Sequence, residues 1–124
     1  MKKVYLSKSK QANPTDIAEA NAYFSQSHEV IQFQGGEYDE SILDGIDILC
    51  IVPPGQNSIE EKEDFYQISV GKGNFSELLR YRDRVVEEDR KVYVFKNNTL
   101  YSVHKAIVTE INWANSWANL LLKK

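Results

Sequence analysis

Glu77 closes the stretch Ser69-Val-Gly-Lys-Gly-Asn-Phe-Ser-Glu77, in which a β-favouring run stops, Gly71 and Gly73 break the chain, and an amphipathic pattern begins. Both glycines lack a Cβ, so the backbone there is free to take positive φ and to approach a ligand closely. Phe75, Leu78, Leu79, Val85 and Val86 keep helical spacing, with Arg82 snorkelling outward, so a helix starts near Asn74. The unpaired N–H groups and positive dipole end of that helix point at any anion held in the glycine turn, and Lys72 adds a full charge beside it. With Glu77 in the same first turn, the arrangement suits a substrate that has a phosphate or hydroxyl end and an electrophilic carbon.

Asn74-x-x-Glu77 is also the spacing of a capping box, in which Asn74 accepts from the helix and Glu77 reaches back to the cap N–H. On spacing alone that reading stands first. A lone Gly-x-Gly before a helix is ordinary connector chemistry, so the surrounding elements have to decide.

The chain has 124 residues, which fits one domain over residues 1–124 and leaves no room for two. Hydrophobic residues at 42% and charged residues at 27% are ordinary for a soluble globular protein. Lys and Arg total 15 against 18 Asp and Glu, so the basic excess that grips duplex nucleic acid is missing and a small ligand is the expected partner. The single cysteine, Cys50, lies in an apolar run where a buried, inert thiol is the commonest outcome, and no disulfide framework or zinc cluster is available. His28 and His104 stand apart without ligand spacing, and no metal or cofactor is expected. The N-terminal apolar run Val4-Tyr5-Leu6 is too short for a signal peptide and no segment is long enough to span a bilayer, so the expected location is the cytoplasm.

The elements that would position Glu77 read in order along the chain. Val4-Tyr5-Leu6 is a short first strand, followed by Ser7-Lys8-Ser9-Lys10-Gln11, a loop suited to a phosphate or simply to solvent. Asn13-Pro14 reads as N-cap and first helical position, with Asp16 in the first turn, of a helix that runs to about Gln26 and buries Ile17, Ala20 and Phe24 or Tyr23. Glu29 to Phe33 is a second strand ended by Gly35-Gly36, and a helical turn follows around Glu40 to Leu43. Ile46 to Val52 is the most continuous apolar run, the pattern of a central strand buried on both faces. Pro53-Pro54-Gly55 stops it, and Gln56 to Asp64 is a polar excursion, either a lid or a mobile loop. Phe65 to Val70 leads into the glycine turn, and Val92 to Phe95 is a further parallel-type strand turned by Asn97-Asn98 into a hairpin with Leu100 to Val103. His104 to Ile111 reads as an added edge strand. Trp113, Trp117, Leu120 and Leu121 fall at helical spacing, with core packing the default for the tryptophans and a homodimer interface the sharper alternative. The order is that of a single-domain α/β chain, a doubly wound three-layer sandwich with a central parallel sheet, a C-terminal antiparallel hairpin and a terminal helix. Such sheets bind ligands at the carboxyl ends of their strands, which brings the loop after Leu6, the loop after Val52 and the glycine turn to one rim.

With those residues in place, the chain resembles the nucleoside 2-deoxyribosyltransferase-like family, a flavodoxin-like group that includes deoxynucleoside-monophosphate N-glycosidases. The resemblance covers residues 3 to 96 and rests on Val4-Tyr5-Leu6, on Asp44-Gly-Ile-Asp47 leading into the apolar strand, and on Gly73-Asn-Phe-Ser-Glu77-Leu. It implies an N-glycosidic-bond enzyme in which Glu77 attacks the anomeric carbon of a deoxyribose, Tyr5 orients the nucleophile or contacts the sugar, and Asp47 lies near the substrate or holds its loop. Hydrolysis and transfer to a second base both stay open. The chain departs from the family at Gly71, where an aspartate often stands, with Ser69 the nearest polar substitute. It departs again at Ser7-Lys8-Ser9-Lys10, which replaces a small glycine-containing segment and suits a phosphate better than a bare sugar hydroxyl. Ser7, Lys8, Ser9, Gly71, Lys72, Gly73 and Asn74 are thus the expected substrate- or phosphate-binding set. The Gly71 departure motivates an alternative, a nucleotide-binding or sequestering module of the same fold without turnover. A pure interaction domain using Trp113 and Trp117 ranks third.

Overall fold

A computed structural model of the chain describes residues 2–37, 42–43, 45–55, 58–61, 66–87, 91–102, 106–110 and 119–121. In chain order the elements are β1 (Lys3–Lys8), α1 (Pro14–Ser25), β2 (Glu29–Gln34), β3 (Ile48–Val52), β4 (Ile59–Glu61), β5 (Tyr66–Val70), α2 (Lys72–Glu87), β6 (Lys91–Lys96), β7 (Thr99–Ser102), β8 (Ala106–Glu110) and β9 (Asn119–Leu121).

The main sheet has five strands in the order β2-β1-β3-β6-β7. β2, β1, β3 and β6 run parallel, with Tyr5 opposite Ile31 on one side and Leu49 on the other, and Leu49 opposite Val92. β3 is the middle strand and all five of its residues are buried, as its unbroken apolar run requires of a strand covered on both faces. β7 returns antiparallel to β6 through Asn97 and Asn98, whose φ of 51° and 57° are the left-handed pair that a tight hairpin turn demands and that asparagine tolerates.

The period of two along each strand splits the core. Val4, Leu6, Cys50, Val52 and Phe95 point to the face covered by Ala20 and Phe24 of α1. Tyr5, Leu49, Ile51, Val92 and Val94 point to the other, where Phe75, Leu78 and Tyr81 of α2 pack. α1 starts as its sequence directs: the Asn13 side chain accepts from the Thr15 N–H at 2.8 Å and Pro14 takes the first helical position. Phe24 is the aromatic residue that α1 buries, and Tyr23 is left 53% exposed.

Several expectations are corrected. β4, β5, β8 and β9 form a second, four-stranded sheet. In β5, Ile68 and Val70 are buried in the α2-side core while Gln67 and Ser69 are only half-buried, so the strand is apolar on one face and suits a sheet lying against that core. Part of the polar excursion after Pro54 is strand β4, paired antiparallel with β5. The expected edge strand near residues 104–111 is β8, which lies between β5 and β9. Leu120 and Leu121, expected in a terminal helix, belong to β9, where pairing with β8 supersedes their helical spacing. Trp113, Trp117 and His104, and the side chains of Arg82, Val85 and Val86, lie outside the described residues.

Among the described residues no helix is long and apolar enough to cross a membrane. Cys50 is fully buried, and burial pushes its thiol far above the ordinary range. A thiol reagent is expected to leave Cys50 unlabelled in the native protein and to label it once denaturant unfolds the chain; rapid labelling without denaturant would contradict that packing.

Candidate active site

Two periodicities meet at the carboxyl end of β1. The alternation of the strand turns Tyr5 and Ser7 toward α2, and Ser9 follows just beyond its end; on α2, Asn74 and Glu77 are three apart and share the face that looks back. The five side chains form one buried cluster, with Tyr5, Ser7 and Glu77 all at 0% exposure.

The Glu77 carboxylate receives a donor from every side. Tyr5 donates its hydroxyl to Oε2 at 2.7 Å, and the Gly36 N–H approaches the same oxygen at 3.4 Å. Ser7 donates to Oε1, and the Asn74 amide nitrogen lies 3.3 Å from it. That amide nitrogen also donates to Ser7 Oγ at 2.6 Å, while Ser9 donates to Asn74 Oδ1 at 2.7 Å. Burial raises the Glu77 pKa above the ordinary glutamate range, and hydrogen bonds from Ser7, Tyr5, Gly36 and Asn74 oppose the rise by favouring the charged form.

The sign of that shift fixes a pH dependence. A carboxyl group that is harder to ionise in the fold than in the unfolded chain contributes stability below its unfolded pKa, and that contribution is lost as pH rises through the folded value. The stability of the native protein relative to Glu77→Gln is therefore expected to be larger near about pH 4 than near about pH 8, measured by urea unfolding of both proteins. A difference that grows with pH would contradict the buried placement.

The structure brings together Glu77, Tyr5, Ser7, Ser9 and Asn74, and corrects how several of the expected residues act. α2 starts at Lys72, with Gly71 O accepting the Phe75 N–H at 2.9 Å, so Asn74 is inside the helix and Glu77 lies past its first turn. The capping box is not formed, because both side chains face β1. Neither Gly71 nor Gly73 has positive φ; among the described glycines that conformation belongs to Gly36, at 87°. Gly73 serves a close approach of backbone to backbone: a Cβ there would lie 2.2 Å from Gly35 O. The Ser7 and Ser9 hydroxyls are engaged inside the cluster, with Glu77 and Asn74 respectively. Lys8 is half-buried and alternates to the opposite face, and Lys72 is exposed. Asp47 sits at the start of β3, where its Oδ2 accepts the Lys3 N–H at 2.8 Å. That is the amino-terminal edge of the parallel sheet, the opposite rim from Glu77, so Asp47 has no place in this cluster.

Gly36 and Phe33 belong to the site and were not singled out by the sequence. Phe33 stacks on Tyr5 at 5.4 Å between ring centroids and 6° between planes. Gly35-Gly36 reads in sequence only as the end of a strand; its position at the carboxyl rim beside β1 was the available signal. Lys96 was missed as well: its ammonium, largely buried, donates to the carbonyls of Pro54 at 3.2 Å and Gly55 at 2.5 Å and ties the turn after β3 to β6. No cluster of three or more His, Cys, Asp or Glu that could hold a metal ion is found among the described residues.

No family model, no curated protein and no solved structure matches this chain.

Proposed function

We propose that the chain is an N-glycosidic-bond enzyme acting on a nucleoside or nucleotide, built on a flavodoxin-like three-layer sandwich, with Glu77 as the nucleophile. The observation that carries this reading is the 2.7 Å hydrogen bond from Tyr5 to Glu77 Oε2, which joins residues 72 positions apart at the carboxyl rim of a parallel sheet. A Glu77 oxygen bonds to the anomeric carbon as the C–N bond breaks; the electron pair leaves with the base, which takes a proton from solvent water. Water, or a second base, then attacks the same carbon and releases the carboxylate. The carboxylate charge of Glu77 stabilises the oxocarbenium-like transition state of each step, and Tyr5 holds the carboxylate in one orientation. Because Glu77 is wholly buried, substrate reaches it only when the packing around it opens, and the Gly36 backbone, whose N–H lies 3.4 Å from Oε2, is one described segment at that position.

Incubation with a panel of ribo- and deoxynucleosides and their 5′-monophosphates, followed by chromatography of the free bases, tests the reading. Base release that survives Asp47→Ala is expected, since Asp47 lies on the other rim; intact substrates across the panel would overturn it. The complete burial of Glu77, with both oxygens engaged, favours a second reading: a nucleotide-binding module of the same fold without turnover. A nucleotide that raises the melting temperature and is recovered unchanged would select that reading.

A further inference from the structure

Around Glu77 the groups that cannot reverse, the carboxyl oxygens and the Ser7 carbonyl, set the direction of the hydrogen bonds. An amide presents a donor side and an acceptor side, and which way it faces is settled by its neighbours. The nitrogen of Asn74 faces Ser7 Oγ at 2.6 Å, Glu77 Oε1 at 3.3 Å and the Ser7 carbonyl at 3.5 Å. The reversed amide would set its oxygen against a carboxylate and a carbonyl, so this orientation is the favourable one. On the far side, Asn74 Oδ1 accepts from Ser9 at 2.7 Å; a hydroxyl serves either sense, so Ser9 anchors the amide in place while the carboxylate and the Ser7 carbonyl set which way it faces. Ser7 Oγ accepts from the amide, so its own proton is left to point at Glu77 Oε1.

We propose that Asn74 is the positioning residue of this site: anchored by Ser9, it aims the Ser7 hydroxyl at Glu77 and holds the carboxyl group turned toward β1. The proposal takes its catalytic meaning from the reading of Glu77 as the reacting acid, while its geometry stands without it. Among the described residues, Tyr5 is the other titratable group facing the carboxylate and the β2 side offers the Gly36 N–H, while on α2 Lys72 and Arg80 are exposed. Removing the amide takes a donor from Oε1 directly and frees the Ser7 hydroxyl to turn away. Both losses disfavour the charged form.

The test follows the Glu77 side-chain carboxyl carbon by NMR in protein labelled at glutamate, with Glu77→Gln used to assign the signal, and titrates the native protein, Asn74→Leu and Ser9→Ala. The expected result is an upward shift of the Glu77 midpoint in both variants, larger in Asn74→Leu. If base release is detected, the acid limb of kcat moves up with it while KM stays. A folded Asn74→Leu protein with an unmoved midpoint overturns the proposal. Should that variant not fold, Ser9→Ala decides alone, and an unmoved midpoint there is equally fatal. Midpoint shifts without base release from the native protein would remove the enzymatic reading and leave the positioning role standing; base release with unmoved midpoints would do the reverse.

Discussion

Glu77→Gln is expected to lower base release by about 10³-fold or more while the chain stays folded, because the amide that replaces the carboxylate has no oxygen able to form a stable bond to the anomeric carbon. The fold should tolerate the change. The Tyr5 and Ser7 hydroxyls rotate and accept as readily as they donate, so a glutamine nitrogen set against either one finds an acceptor. Circular dichroism together with chromatographic assay of free base checks both halves. A folded Glu77→Gln protein with full activity would move the chemistry away from this residue. An unfolded one would make Glu77 a structural acid first.

Gly73→Ala is expected to destabilise the chain by about 3 kcal/mol, since the new methyl would overlap backbone rather than a side chain free to move. The nearest atoms are Gly35 O at 2.2 Å, Gly35 C at 2.4 Å and Gly36 N at 2.7 Å. Gly71→Ala is the internal comparison. A methyl there meets Asn74 Oδ1 at 3.6 Å and Ser9 Oγ at 4.0 Å, ordinary contacts, so its cost should stay below about 1 kcal/mol, set mainly by the poorer helix start that alanine gives. Urea unfolding of the two variants reads the difference. Equal effects would mean that the loop after β2 does not lie against α2 as described. The same contact explains the burial of Glu77: two glycines on the loop and one on the helix bring the Gly36 N–H to the carboxylate.

What could be read from the residues alone follows a physical division. The continuous run ending in Val52 indicated the middle strand because burial on both faces leaves no polar position in it. Asn13-Pro14 and Asn97-Asn98 marked a helix start and a hairpin because their local backbone chemistry admits few alternatives. Glu77 was legible as a candidate, and its pairing with Tyr5 entered through family resemblance; spacing within α2 fits a capping box equally well, and only the fold shows which way the side chain turns. Asp47 entered through the resemblance alone; it precedes the apolar strand, so the rule that ligands gather at the carboxyl ends of parallel strands already placed it at the other rim. The second sheet was harder to see. β4 and β9 have three residues each, too few for alternation to stand out, and the pairing that joins the two halves of the sheet, Tyr66 opposite Ala106, links strands far apart in the chain. The part played by Gly73 was hidden for a related reason: a glycine required by a backbone neighbour nearly forty residues earlier looks the same in sequence as one required by a ligand.

The most direct test is the mass of the protein after incubation with a 2-fluoro-substituted deoxynucleoside, whose fluorine disfavours positive charge at the anomeric carbon and slows the breakdown of a glycosyl ester. The predicted result is an added mass of one fluorosugar, on the peptide that contains Glu77 and absent from Glu77→Gln. Release of base from ordinary deoxynucleosides with the label on another residue, or with no label at all, would contradict Glu77 as the nucleophile.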